Sequence, residues 1–329
     1  MNRRDALLSL LVLAACDTEP KVPAVPPPGP LGPKELDELI PIAGLEWVVR
    51  AKPRTIAEIA WLIPALARIV PEANQSALQK RLGFDPRQVT EALFVSYGEA
   101  LRGSQAQLIR HNSDPALLEQ RFLERLTKDA ERRVDHPEVI RLHGTVGKKV
   151  AGLTLVGRDI AVYDETPSGD GVARIAALYA TGKMTKAKPL HEDALLASVV
   201  ERFGDAPLIA VAPGPFGEEW KKGVHGLLEV ADVVAVSASP AATEAVRLSF
   251  AVLGDFGEDG SKAADLVRTS WQEIGQSTLG KLLGLHDTSE PVAAGTRSVV
   301  TLNVMIDPNR AAAGLGALLE QDLPSIMRL

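Results

Sequence analysis

Residues 139–163 read VIRLHGTVGKKVAGLTLVGRDIAVY, and their reading decides the fold. Three runs rich in Val, Ile, Leu and Thr, at 139–146, 150–156 and 158–163, are parted by Gly147-Lys148-Lys149 and by Gly157. Gly supplies the positive φ that tight hairpin loops require, so the stretch predicts an antiparallel meander. GTVGKK at 144–149 lacks the glycine spacing of a phosphate loop, and no Ser or Thr follows its Lys, which leaves it a hairpin turn.

Helical and extended patterns alternate on both sides of this meander. Upstream, 45–50 reads as a strand. Residues 55–70 follow as a helix carrying Ile56, Ile59, Ile63, Leu66 and Val70, which Pro64 should kink or split. A short helix over 75–82 is closed by Gly83, and strands follow at 92–97 and 104–111. Asp114 and Pro115 suit the N-cap and first turn of a helix reaching about residue 128. Downstream come a helix at 171–179, a polar linker at 181–191 and a helix at 192–203. The order then recurs: strand 207–212, helix 218–228, strands 230–237 and 244–254, helix 261–276, strand 298–306 and helix 309–319. Even the text is loosely parallel, VTEALFVS at 89–96 beside VADVVAVS at 230–237.

The expectation is therefore an α+β protein of two ferredoxin-like βαββαβ halves, 36–185 and 186–329. Each half would place helices on one face of an antiparallel sheet, and the two could share one extended sheet. A single irregular α+β domain is the competing reading.

The amino terminus carries a different signal, MNRRDALLSLLVLAACDTEP. Arg3 and Arg4 precede a short apolar run over 6–15, which as a helix of about 15 Å is half the thickness of a bilayer core. That is the layout of a secretory signal peptide. Leu13-Ala14-Ala15-Cys16 at its end resembles the lipobox of bacterial lipoproteins. The resemblance implies cleavage between Ala15 and Cys16, and lipid attachment at the Cys16 thiol and its new amino group. The expected partner is thus a membrane, held through acyl chains, with the domain facing the periplasm or cell surface. Asn2-Arg3-Arg4-Asp5 is similar to a twin-arginine export motif, though two arginines also serve an ordinary n-region. Asp17 resembles an inner-membrane retention signal of enterobacterial lipoproteins, a sorting code that differs among bacteria.

Residues 16–35 supply the lipidated Cys and a tether, with seven prolines between 17 and 34. As polyproline at about 3.1 Å per residue it would hold a domain roughly 50 Å from the bilayer. The tandem layout of 36–329, with phrases such as Gly83-Phe84-Asp85-Pro86, resembles a broad group of uncharacterised envelope lipoproteins. That likeness implies location and fold, and carries no chemistry.

Composition narrows the function classes. The chain has 329 residues, 46% of them hydrophobic, enough for a sizeable core. Net charge is −6, and removal of residues 1–15 would leave −7, so no basic field exists for nucleic acid. One Cys excludes a disulfide framework and a Cys-based zinc cluster.

The six histidines, His111, His136, His143, His191, His225 and His286, show no zinc-ligand spacing. His191-Glu192-Asp193 is the densest cluster, but it opens a helix, where acidic groups complement the dipole. Asp135-His136 and His286-Asp287 are adjacent pairs whose side chains ordinarily point apart. No Gly-x-Ser-x-Gly elbow is present. Asp255-Phe256-Gly257 lacks the catalytic loop of kinases, and as a calcium loop it lacks a twelfth-position carboxylate, since Leu266 stands there.

Pro213-Gly214-Pro215-Phe216-Gly217, between a strand and a helix, is the one loop with a binding character. Trp47, Trp61, Trp220 and Trp271 read as core residues, one of them part-exposed at an interface. No catalytic residue, metal ligand or cofactor is expected. The leading expectation is a non-catalytic binding or scaffold component of an envelope complex. The alternative is a carrier of a lipid or apolar small molecule, recognisable by a pocket walled with aliphatic side chains; an envelope hydrolase ranks third.

Overall fold

The structure, a computed structural model, describes residues 29–98, 101, 103–166, 171–218, 223–258 and 260–326. The lipobox residues Leu13, Ala14, Ala15 and Cys16, most of the proline tether and Trp220 lie outside them. Residues Leu31–Leu329 form one compact unit.

The strands, in chain order, are β1 (Leu45–Ala51), β2 (Glu91–Tyr97), β3 (Gln105–Arg110), β4 (Lys128–His136), β5 (Val139–Val146), β6 (Lys149–Val156) and β7 (Ile160–Thr166). They continue as β8 (Leu208–Pro213), β9 (Ala231–Pro240), β10 (Val246–Gly254), β11 (Val292–Gly295) and β12 (Val299–Ile306). The helices are α1 (Pro53–Ala57), α2 (Ile63–Ile69), α3 (Glu72–Leu82), α4 (Pro115–Arg125) and α5 (Val172–Ala180). After them come α6 (Ala194–Phe203), α7 (Gly260–Gln276), α8 (Thr278–Leu282) and α9 (Pro308–Ile326).

Local chemistry accounts for most of these boundaries. Asp114 caps α4 by accepting a hydrogen bond from Ala116 N at 3.0 Å, and Pro115 fills the first turn. Gly83 ends α3 at φ +83°, in the left-handed region. Pro64 splits the helix expected at 55–70, because the chain can restart at Ile63 with proline in its first turn but cannot pass through it. The opening meander forms as read, with Gly147 (φ +62°) and Gly157 (φ +61°) at its two loops.

All twelve described strands join one sheet, ordered β11-β12-β10-β9-β8-β1-β2-β3-β7-β6-β5-β4, and every neighbouring pair is antiparallel. β1 meets β8 at the centre, where Val48 to Ala51 pair with Val211 to Leu208. The stretches 36–185 and 186–329 contribute seven and five of these strands to the one sheet.

The ferredoxin-like detail needs correction. In a ferredoxin-like unit the helix-connected strands run parallel with a third strand between them. Here the connection from β1 returns to β2 directly beside it, antiparallel. The helical crossovers β3–α4–β4 and β10–α7–β11 carry the chain to the two outer edges of the sheet. It then returns inward, through β5, β6 and β7 in one half and through β12 in the other.

Helices also cover both faces instead of the expected one. On the front face a continuous core gathers Leu36, Leu39, Val95, Leu108 and Val162 with α5 and α6, through Val172, Ala176 and Val199. It crosses the central seam to Ile209, Val211 and Val233. On the back face, Leu118 and Phe122 of α4 cover Leu142 and Leu153 in the first half. Val267 and Trp271 of α7 cover Val252, Val300 and Leu302 in the second. Each fully buried Leu, Val or Phe contributes roughly 1.5–3 kcal/mol, so both faces need their helices.

The connections that follow β1 and β8 differ in length. In the first half the connection after β1, residues 52–90, carries α1 to α3 and seats Phe84 and Val89 on the back face. The matching connection after β8, residues 214–230, is less than half as long. A helix is expected at 218–228. Residue 218 is helical, 219–222 lie outside the described residues, and 223–229 form a tight helical turn broken by positive φ at Val224, His225 and Gly226.

Candidate functional site

The short connection leaves space. A cavity of about 1860 Å³ opens on the back of the second half, beside the central seam. Its floor is the sheet itself, with Ala212 from β8, Val234 from β9, Phe250 and Val252 from β10, and Leu302 from β12. α7 forms one wall through Val267, Ser270, Trp271 and Ile274. The 213–217 loop and Val224, Leu228 and Val230 form the opposite one. At the end of the sheet the groove turns past Leu45 and Trp47 to Leu195 and Leu196 of α6.

The lining is chiefly apolar. Phe250 and Trp271 meet as a tilted pair with ring centroids 5.3 Å apart, and the indole Nε1 donates to Thr288 Oγ1 at 3.3 Å. Four large side chains that remain solvent-exposed, Trp47 (38%), Leu195 (38%), Val230 (49%) and Ile274 (49%), all line this one groove. Apolar surface gathered in a concavity marks a binding site more than scattered exposure does.

Carboxylates stand among these walls: Glu46, Asp193, Glu229, Asp232 and Glu273. Glu46 Oε2 accepts from Ser96 Oγ at 3.1 Å, and Asp193 Oδ1 caps α6 at Leu196 N, 2.9 Å away. Glu273 Oε2 lies 3.2 Å from His225 Nε2.

Of the residues singled out in the sequence, the 213–217 loop falls at the cavity. Trp47 and Trp271 join it, Trp271 as the buried core residue expected and Trp47 as a part-exposed one. The histidines do not converge. His111 is buried, and burial pushes its imidazole below its ordinary value. His136 Nδ1 accepts from Glu138 N at 3.1 Å. His143 faces Glu131 across the β4–β5 pair at 3.7 Å.

His191 lines a second, smaller cavity of about 330 Å³ on the front face, together with Asp37, Arg50 and Glu201. Burial raises the Asp37 carboxyl there, while the nearby Arg50 charge opposes that rise. No group of three or more His, Cys, Asp or Glu side chains at metal-binding distance occurs among the described residues. Asp255 Oδ1 accepts from Gly257 N at 3.2 Å, so the Asp255-Phe256-Gly257 phrase is a self-closed turn. No described helix is long and apolar enough to cross a membrane.

No family model matches the chain, and neither does any curated protein. Solved structures do. The chain is similar to crystal form III of TP0453, with 6% identity and a TM-score of 0.52 over 87% of this chain and 99% of that one. Crystal forms I and IV of TP0453 align at 7% and 8% identity, each with a TM-score of 0.49, over 87% of this chain and 98% and 97% of theirs. At such low identity the form III match speaks for the α+β fold alone.

Proposed function

We propose that this protein is a lipid-anchored lipoprotein of the bacterial cell envelope whose domain binds an apolar small molecule or lipid without chemically changing it. The observation that carries this reading is the cavity. At about 1860 Å³ it exceeds the roughly 300–1,000 Å³ of sites for drug-sized ligands, and so suits an extended hydrocarbon body. Of the two binding roles weighed from the sequence, carrier and scaffold, the cavity favours the carrier. Anchoring rests on the Leu13-Ala14-Ala15-Cys16 signal. Several acyl chains, at about 0.8 kcal/mol per buried CH2, hold a protein firmly at a bilayer.

The test is native mass spectrometry of the full protein extracted gently from its own membrane. Mass beyond the acylated chain should persist, and should be lost in Ala212→Trp, which fills the floor of the groove. A bare acylated chain in both samples would sink the carrier role. Cys16→Ala should release the protein from the membrane fraction; retention would sink the anchor.

A further inference from the structure

We propose that the ligand of the large cavity is an amphiphile with a positively charged head group, a refinement that rests on the carrier reading above. The argument is one of charge sign. All five ionisable side chains among the described lining residues are acidic: Glu46, Asp193, Glu229, Asp232 and Glu273. No Lys, Arg or His joins them there, although the chain has 36 basic against 42 acidic residues, a nearly even supply.

Among the described residues none of the five has a Lys or Arg within ion-pair distance. Their neighbours are neutral donors, Ser96 Oγ and Leu196 N, and for Glu273 the His225 ring outside the lining. Among the described residues, then, these carboxylates have no Lys or Arg partner, and they share the groove with an apolar floor of Phe250, Val252, Trp271 and Leu302. Low-dielectric walls focus such a field. A hydrocarbon tail can fill the floor while an ammonium head meets the carboxylates, whereas a fatty-acid or phosphate head is repelled by the same groups.

Four of the five are open to exchange: Glu46, Glu229, Asp232 and Glu273 are exposed, while Asp193 is committed to capping α6.

The full protein is titrated with three dodecyl amphiphiles below their micelle concentrations: dodecyltrimethylammonium, dodecyl maltoside and dodecanoate. Calorimetry measures affinity and circular dichroism verifies that the fold persists. The cation should bind about tenfold more tightly than the neutral maltoside and dodecanoate more weakly than both, with the spread shrinking at high salt. In the triple variant Glu46→Gln, Glu229→Gln, Asp232→Asn the ratio of cation to maltoside affinity should fall to about twofold or less.

Equal binding of cation and maltoside, a preference for dodecanoate, or a preference that survives the triple substitution would overturn the charge assignment while leaving the apolar carrier standing. Failure of all three to bind would overturn the carrier reading itself.

Discussion

Asp164 stands on β7 where a carboxylate is costly. It is 5% exposed and faces the front core, and burial raises its pKa from 3.8 to about 6. Its Oδ2 accepts from Ala173 N at 2.8 Å and so caps α5 from a neighbouring strand. Gly152 and Gly171 make the room, since a Cβ on either would overlap the carboxylate. A raised carboxyl pKa means that the folded state holds the proton more tightly than the unfolded chain. The stability it contributes is complete below pH 3.8 and is lost as pH rises through about 6, a loss on the order of 3 kcal/mol. In Asp164→Asn the capping oxygen remains and the titration does not. Its stability relative to wild type should therefore climb between pH 4 and pH 7 in urea unfolding; a flat difference across that range would refute the assignment. None of this is visible in the sequence, where Asp164 looks like any polar residue at a strand end.

Elements with one buried face were readable, because their apolar residues keep a period. β2, β5, β10 and α7 lie within two residues of their expected limits. The strand β4 was missed: KDAERRVDH has no apolar alternation, and its first seven residues are exposed. Its position explains the composition. β4 is an outer edge of the sheet, and charged side chains there discourage pairing with a second molecule. The opposite edge, β11, is only four residues long, another way to limit the same hazard, and equally hard to read. Replacing Glu131 and Arg133, which share a face of β4, with Val should therefore produce concentration-dependent association in sedimentation velocity, beyond any shown by wild type. Unchanged sedimentation would mean that charge is not what protects this edge. Over 223–228 the regular helix that the pattern suggests does not form, since positive φ at Val224 and His225 leaves no mark on an apolar pattern. In α9, Gly314 lies against the Leu282 carbonyl, where a Cβ would overlap it. Gly314→Ala should lower the melting temperature, and an unchanged value would mean that the two helices are free to part.

For the whole molecule, the α+β class was legible, but the joining of all the described strands into one sheet was not. Strand pairing between Val48 to Ala51 and Val211 to Leu208, so far apart in the chain, is decided by which edge finds which, and βαββαβ order alone fits several sheets. The cavity was out of reach for the same reason. Its loop at 213–217 could be suspected from glycine and proline, yet Trp47 and Trp271 reach it from distant parts of the chain only through the topology. Because the front core crosses the seam between β1 and β8, the two halves should unfold together. Tryptophan fluorescence and far-UV circular dichroism should give coincident urea transitions, and residues 36–185 expressed alone should lack a dispersed amide spectrum. Two separate transitions, or a well-dispersed spectrum from that fragment, would show that the seam is a contact between independent domains. The same seam has a consequence in time. During synthesis at about 5–20 residues per second, β1 is complete roughly 8–30 s before β8 has been made. Through that interval the nascent first half carries a bare strand edge in what will become the middle of the sheet. A cell making this chain must either keep it extended until translation ends or shield that edge while it waits.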